Sequence, residues 1–284
     1  MLNQTIVQEL LQRAFQEDSP QGDISSSQVI PEDFIGEADL VARQEGVISG
    51  IDIFAQAFGY INPQVTVERF IADGRKFDSG ERLARVCGPM RAILRSERVA
   101  LNIVQHMTGI ATATAAFVRE VEGRNIAIKD TRKTLPGLRA VQRYAVTCGG
   151  GVNHRNGLSD AVMMKDNHLA VLRALGVPVS RAIAHARTIR IDGSPVVVEV
   201  EVDDPTQIEE VLSGHPDVIM LDNFSPEDTV AAVRQIDHRA EVEASGNMTL
   251  EKVRSIADSG IDTISIGSLT HSVKGIDLGL DWAD

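Results

Sequence analysis

The chain has 284 residues, 43% of them hydrophobic and 24% charged, which is the balance of an ordinary globular protein large enough for one barrel-sized domain or two smaller ones. A formal net charge of −12 and only 4% aromatic residues argue against a nucleic-acid partner, which demands surplus cations or stacking platforms. No apolar run approaches the ~20 residues that cross a bilayer, so no membrane is expected either.

The opening stretch MLNQTIVQELLQRAF has helical spacing, with Val7, Leu10, Leu11 and Ala14 on one face, and lacks the apolar core of a secretory signal. Turn-rich EDSPQGDISSS follows. Short strands are expected at Gly36–Ala42, Gln64–Ile71 and Leu83–Cys87, with an apolar helix at Ile51–Tyr60 between the first two. A long helix is expected from Ser96, with Glu97 in its first turn and Val99, Ile103, Val104 and Met107 facing inward. Gly109 is expected to interrupt or bend it before Ala111–Val121. The two cysteines, Cys87 and Cys148, are too few for a disulfide framework or a Cys-rich zinc site, and read as thiols of a cytoplasmic protein.

After residue 120 strands and helices alternate, the pattern of parallel βα units. Candidate strands are Ile126–Lys129, Ala161–Lys165, Pro195–Val202, Val218–Asp222, Glu241–Ala244 and Thr263–Gly267. Several are apolar at nearly every residue, as strands buried on both faces are. Ser225-Pro226-Glu227 and Thr249 are helix starts, the latter for Leu250–Ala257. No Gly-x-Gly-x-x-Gly precedes a helix and no Walker-type loop is present, so neither dinucleotide nor P-loop binding is indicated.

Against the acidic whole, Arg124 to His168 holds eight Lys or Arg and three acidic residues. These cations fall in turn-forming stretches around Pro136-Gly137 and Gly149-Gly150-Gly151, not along one helix face, which points to a small multiply anionic ligand. Two segments echo each other: Val162-Met163-Met164-Lys165-Asp166-Asn167 and Val218-Ile219-Met220-Leu221-Asp222-Asn223. In a βα barrel the polar residues at the carboxyl ends of strands share one mouth. That rule brings together Asp130-Thr131-Arg132-Lys133, Lys165, Glu199 or Glu201, Asp222, Glu243-Ala244-Ser245-Gly246 and Ile266-Gly267-Ser268. Cations from early strands and acids from late ones suit an anionic substrate beside a metal-bound phosphate. Glu201 is preferred over Glu199 for the mouth, and Lys129 is expected to be peripheral. Arg139 and Arg143 are expected to be surface or interface charges, and Asn167 and His168 to support the site from behind.

The chain resembles the quinolinate phosphoribosyltransferase family over essentially its whole length. The resemblance is carried by Glu17-Asp18, Gly22-Asp23, Ser96-Glu97-Arg98, Leu101-Asn102, Thr108-Gly109-Ile110-Ala111-Thr112 and Asp130-Thr131-Arg132-Lys133-Thr134. It continues through Pro136-Gly137, Cys148-Gly149-Gly150-Gly151, Asn153-His154-Arg155, Lys165-Asp166-Asn167-His168, Glu199-Val200-Glu201 and Leu221-Asp222-Asn223-Phe224. It ends in Glu243-Ala244-Ser245-Gly246 and Ile266-Gly267-Ser268-Leu269-Thr270-His271, while Ala170–Ser194 matches poorly.

The resemblance implies an α/β protein: an N-terminal α/β sandwich over 1–110, joined by 272–284, and an incomplete seven-stranded α/β barrel over 111–271. It implies a homodimer with sites at the subunit interface, and the reaction of quinolinate with phosphoribosyl pyrophosphate to give nicotinate mononucleotide, pyrophosphate and CO2. Arg132, Arg155 and the partner's Arg98 would clamp the two substrate carboxylates, with Lys133 and His154 adding donors. Lys165 would counter the leaving group or a substrate carboxylate. Glu201 and Asp222 would stabilise the developing positive charge or hold Mg2+. Ser245, Gly246, Ile266, Gly267 and His271 resemble the family's cradle for the 5′-phosphate. Lys133, Lys165, Glu201 and Asp222 are thus the expected catalytic residues. Two rivals stand beside this reading: a Schiff-base aldolase or lyase with Lys165 as nucleophile, and a non-catalytic relative of the kind associated with molybdenum transport.

Overall fold

The computed structural model describes residues 2–282, and the chain divides into two units. The first comprises Met1–Ala115, Thr134–Gly150 and Leu269–Asp284. Its sheet has four antiparallel strands in the order Leu278–Trp282, Ile35–Ala42, Arg82–Pro89 and Thr66–Arg69. Alternation in Ile35–Ala42 buries Gly36, Ala38, Leu40 and Ala42. From the opposite face Asp39 meets Arg85 at 2.7 and 2.9 Å and Arg82 at 3.3 Å. Helix Gln4–Asp18 is capped by Asn3, whose side chain accepts the Thr5 N–H, and it buries Val7, Leu11 and Phe15. Helix Ile51–Ile61 contributes Phe54 and Phe58, packed edge to face at 5.0 Å.

The long helix departs from expectation. It runs unbroken over Met90–Glu120, starting six residues before Ser96, which is buried inside it and caps nothing. Gly109 does not interrupt it. A Cβ at Gly109 would lie 2.2 Å from the carbonyl oxygen of Lys274, so the glycine serves the close approach of the 274–275 backbone. Gly149 acts alike at the end of helix Arg139–Cys148, where a Cβ would stand 2.4 Å from the Ala111 oxygen. Arg143, expected to be a surface or interface charge, is 8% exposed on that same helix and so is buried within the chain itself.

The second unit comprises Ala116–Lys133 and Gly151–Ser268. Its sheet has six parallel strands in the order Ala127–Lys129, Thr263–Ser265, Glu241–Ser245, Val218–Asp222, Val198–Val202 and Val162–Met164. Outside Lys129, Val152 adds a one-residue parallel bridge in place of a seventh strand. Together these make a partial α/β barrel. Helices Asp166–Ala174, Val179–Ala186, Ile208–Leu212, Pro226–Ile236 and Leu250–Ile256 follow the strands. The last two begin as their sequences dictate: Ser225 accepts the Asp228 N–H ahead of Pro226, and Thr249 accepts the Lys252 N–H. The poorly matched stretch holds helix Val179–Ala186 and a small hairpin, Arg190–Ile191 with Ser194–Pro195. Among the described residues no single helix is long and apolar enough to cross a membrane.

Candidate active site

Strand alternation decides what faces the barrel interior. Glu199 and Glu201 fall on one face of their strand, Met220 and Asp222 on one face of the next, and Glu243 and Ser245 on one face of the third. The register sets Glu201 beside Met220 and Asp222 beside Ser245. At the carboxyl ends these strands open into a cavity of about 350 Å³, a size suited to a small ligand. It is lined by Thr131, Arg132, Lys133, His154, Arg155, Met163, Lys165, Glu201, Met220, Asp222, Ser245 and Ser265. Cavities of about 500 and 550 Å³ occur in the first unit, but neither gathers such a set of ionisable groups.

Eight of the expected site residues therefore share one cavity: Arg132, Lys133, His154, Arg155, Lys165, Glu201, Asp222 and Ser245. Lys165 and Glu201 form an ion pair inside it. His168 accepts the Lys165 N–H through Nδ1 at 3.0 Å and so fixes the start of the helix behind that lysine. Asp222 accepts from Asn223 at 2.8 Å. Gly246, at φ +90°, lets the chain turn against Asn223: a Cβ there would come within 2.3 Å of Oδ1. Ile266 has a buried side chain, and its N–H is donated to the Lys129 oxygen at 2.9 Å, which leaves only its carbonyl for a ligand. Gly267 is half-buried just beyond the strand Thr263–Ser265. Arg98 and His271 belong to the first unit. Arg98 is exposed on the long helix, and the His271 ring meets the Ser272 hydroxyl at 2.6 Å.

Arg155 extends beyond the Val152 bridge toward the strand Val162–Met164, donating to the Ala161 oxygen and the Met163 sulfur, both at 3.3 Å. Burial, together with the neighbouring charge of Arg132, lowers its pKa. Two arginines lining one cavity suit an anionic ligand.

Beneath the cavity lies a buried ionic layer that corrects two expectations. Lys129 is not peripheral: its Nζ donates to Glu243 at 3.0 Å within the barrel. Asp130 does not face the mouth but is buried, accepting the His154 N–H at 2.7 Å. His154 Nε2 lies 3.3 Å from Glu199 and 3.2 Å from Glu243, while Nδ1 accepts the Arg155 N–H at 2.7 Å. Burial works against an imidazolium here, but the two carboxylates outweigh it and push the ring up to about 9. Facing both that ring and Lys129, Glu243 is held down to about 2 in spite of its burial. His154, Glu199 and Glu243 are close enough to hold a metal ion, but the Lys129 ammonium already supplies the cation. Met163 and Met220, the cavity's apolar walls, were not expected, because a methionine in a buried strand reads as core.

Residues 23–108 match the model of the quinolinate phosphoribosyl transferase N-terminal domain, and residues 110–281 match that of its C-terminal domain. The nicotinate-nucleotide pyrophosphorylase (carboxylating) of Mycobacterium leprae is 40% identical over 279 residues, covering 95% of both chains. A probable enzyme of the same name from Bacillus subtilis is 38% identical, covering 99% of this chain and 94% of that one. Among solved structures, the nicotinate-nucleotide pyrophosphorylase of Francisella tularensis superposes with a TM-score of 0.91 at 34% identity, over 100% of this chain and 98% of the other. With both domains matched in order and close relatives spanning its length, the chain belongs to the quinolinate phosphoribosyltransferase family.

Proposed function

We propose that this chain transfers a phosphoribosyl group from phosphoribosyl pyrophosphate to quinolinate with decarboxylation. The products are nicotinate mononucleotide, pyrophosphate and CO2, a step of de novo NAD synthesis. The observation that carries the reading is the cavity with Arg132, Lys133, Arg155 and Lys165 on its walls.

Quinolinate brings two carboxylates to those cations. Arg132 and Arg155 are suited to bidentate clamps, with Lys133 as a point charge beside them. Met163 and Met220 offer apolar surface to the ring. Clamped at two points, the ring nitrogen is held in line with the ribose C1, an alignment worth on the order of 7 kcal/mol in the best cases. Departure of pyrophosphate leaves a cationic C1, and Glu201 and Asp222 are the acids available to stabilise it. Lys165, paired with Glu201, is placed to meet the leaving pyrophosphate or the substrate acid. Decarboxylation then breaks the bond between C2 and its carboxylate once that group is out of water: the electron pair stays on C2, stabilised by the adjacent pyridinium charge, and a proton from solvent takes the place of CO2 there.

Mg2+ suits the donor set. It binds few carboxylates and keeps waters and phosphate oxygens as its other ligands, and Glu201 and Asp222 supply two such carboxylates at the mouth. When bound it would neutralise the pyrophosphate oxygens. Ser245 ends one strand, Gly246 and Gly267 lie just beyond the ends of that strand and its neighbour, and the three are the proposed cradle of the 5′-phosphate. We further propose a homodimer in which Arg98 of the partner subunit, together with His271, completes the substrate contacts. Exposure of Arg98 on its helix supports that role. Two free cysteines are in keeping with the reducing cytoplasm, although plant relatives bear chloroplastic and mitochondrial names.

The lyase alternative is disfavoured by the ion pair of Lys165 with Glu201, because an imine-forming lysine must be present as the neutral amine. Incubation of the purified protein with quinolinate, phosphoribosyl pyrophosphate and Mg2+ should yield nicotinate mononucleotide with one CO2 per turnover. No product from folded protein, combined with borohydride trapping of a substrate at Lys165, would replace this reading with the lyase.

A further inference from the structure

The two acids at the mouth are held in different ways. Glu201 pairs with the Lys165 ammonium, whereas Asp222 Oδ2 accepts from the neutral Asn223 amide at 2.8 Å. A neutral donor orients a carboxylate without cancelling its charge. Asn223 is exposed, yet it is firmly seated. Its N–H is donated to the Ser245 oxygen at 3.0 Å, and its Oδ1 accepts from Asn247 Nδ2 at 3.0 Å. The amide also occupies space that Gly246 leaves open, since a Cβ there would stand 2.3 Å from Oδ1. The Asn223 backbone is left-handed, at φ +58°, a conformation that asparagine tolerates better than most residues and that recurs at functional sites. A carboxylate only accepts, so the amide nitrogen must face Asp222 and Oδ1 must face Asn247. Donation therefore runs one way, from Asn247 to Asn223 to Asp222, and ends on the acid.

We propose that Asn223 is a positioning residue for Asp222: its amide holds Oδ2, and so leaves Oδ1 as the oxygen presented to the cationic C1 of the phosphoribosyl group. The inference rests on the reading of Asp222 as an acid that meets that charge. Asn247 and Gly246 serve it indirectly, by holding the Asn223 amide in the one orientation that donates to the carboxylate.

Asn223→Gly tests this by removing the amide while keeping a residue at ease in the left-handed region. At saturating substrates kcat should fall about tenfold, as for loss of one hydrogen bond to a charged group, with the quinolinate KM changed by less than about twofold. Asp222→Ala removes the group on which the amide acts. In that background Asn223→Gly should change kcat by less than about twofold, whereas a merely structural role predicts that the two losses multiply. Asn223→Asp is a second variant that tolerates the same backbone at the same size. It sets an acceptor where the donor stood, so its kcat should fall at least as far as that of the glycine variant. A wild-type kcat in either single variant, an equal loss in kcat and in quinolinate affinity, or losses that multiply with Asp222→Ala would overturn the proposal. Wild-type protein that makes no nicotinate mononucleotide would overturn the functional reading and this inference with it. An active wild type beside an unimpaired Asn223→Gly variant would overturn this inference alone.

Discussion

Arg132 and Arg155 face the same cavity, and the charge of the first works against the charge of the second. A protein that maintains such a pair at the mouth of a barrel holds a standing preference for an anion between them. Lys133 and Lys165 enlarge that preference, and Glu201 pairs with Lys165. The carboxylates that balance the deeper charges, Glu199 and Glu243, lie beneath the cavity and are engaged by His154 and Lys129.

The two acids at the mouth should serve the phosphoribosyl half of the reaction. Asp222→Ala or Glu201→Ala should lower kcat by about 10²–10³, the usual scale for one electrostatic transition-state contact, with quinolinate KM changed only a few-fold. Steady-state kinetics at saturating Mg2+ measure both numbers. Near-normal turnover in either variant removes that residue from the chemistry.

The proposed sharing of each site between two subunits can be tested by complementation. Arg98→Ala and Lys165→Ala dimers should each be nearly inactive. Random subunit exchange at equal ratio then restores about a quarter of wild-type activity, because half the dimers carry one site with both defects and one with neither. No recovery after demonstrated exchange would place Arg98 in its own subunit's site or outside any site.

Much of this arrangement is legible in the sequence, for identifiable reasons. Strands such as Val218–Asp222 are apolar to their last residue and then polar, so both the element and its functional end can be read directly. The helix starts at Ser225 and Thr249 are local, and so is their chemistry. Lys129 looks peripheral in the sequence because its partner Glu243 is distant in the chain, and a lone charge ending an apolar strand shows no sign of that partner. Gly109 looks like a helix breaker for the same kind of reason, since the Lys274 carbonyl that excludes a side chain there comes from the far end of the sequence. The start of the long helix was placed too late because Ser96 resembles a cap, whereas it sits buried within a helix that follows directly on Pro89.

Gly109→Ala should therefore act as overpacking and not as relief of helix entropy. A methyl group placed 2.2 Å from a carbonyl oxygen forces the backbone apart, and destabilisation of about 1–3 kcal/mol is expected. Denaturant unfolding measures it. A stabilised variant would show that the 274–275 segment does not press on this helix.

The Asp39 carboxyl is held below its ordinary value of 3.8, chiefly by hydrogen bonds from Arg85, with burial opposing and Arg82 assisting. A carboxylate with a depressed folded-state pKa adds stability that is present above the unfolded value and is lost as pH falls through the folded one. Asp39→Asn should lower the thermal midpoint at pH 7, and the gap from wild type should close as the pH drops below about 3.8. A gap independent of pH down to acid unfolding would mean that packing, not charge, is the contribution of Asp39.

The central claim is a cavity built for two carboxylates, and substrate choice tests it most directly. Nicotinate lacks the 2-carboxylate and would leave part of the Arg132, Lys133 and Arg155 cluster without its anion. The kcat/KM for quinolinate should exceed that for nicotinate by about 10² or more, the scale of charged hydrogen bonds left unmade in a buried site. Comparable efficiency with the two acids would contradict the account.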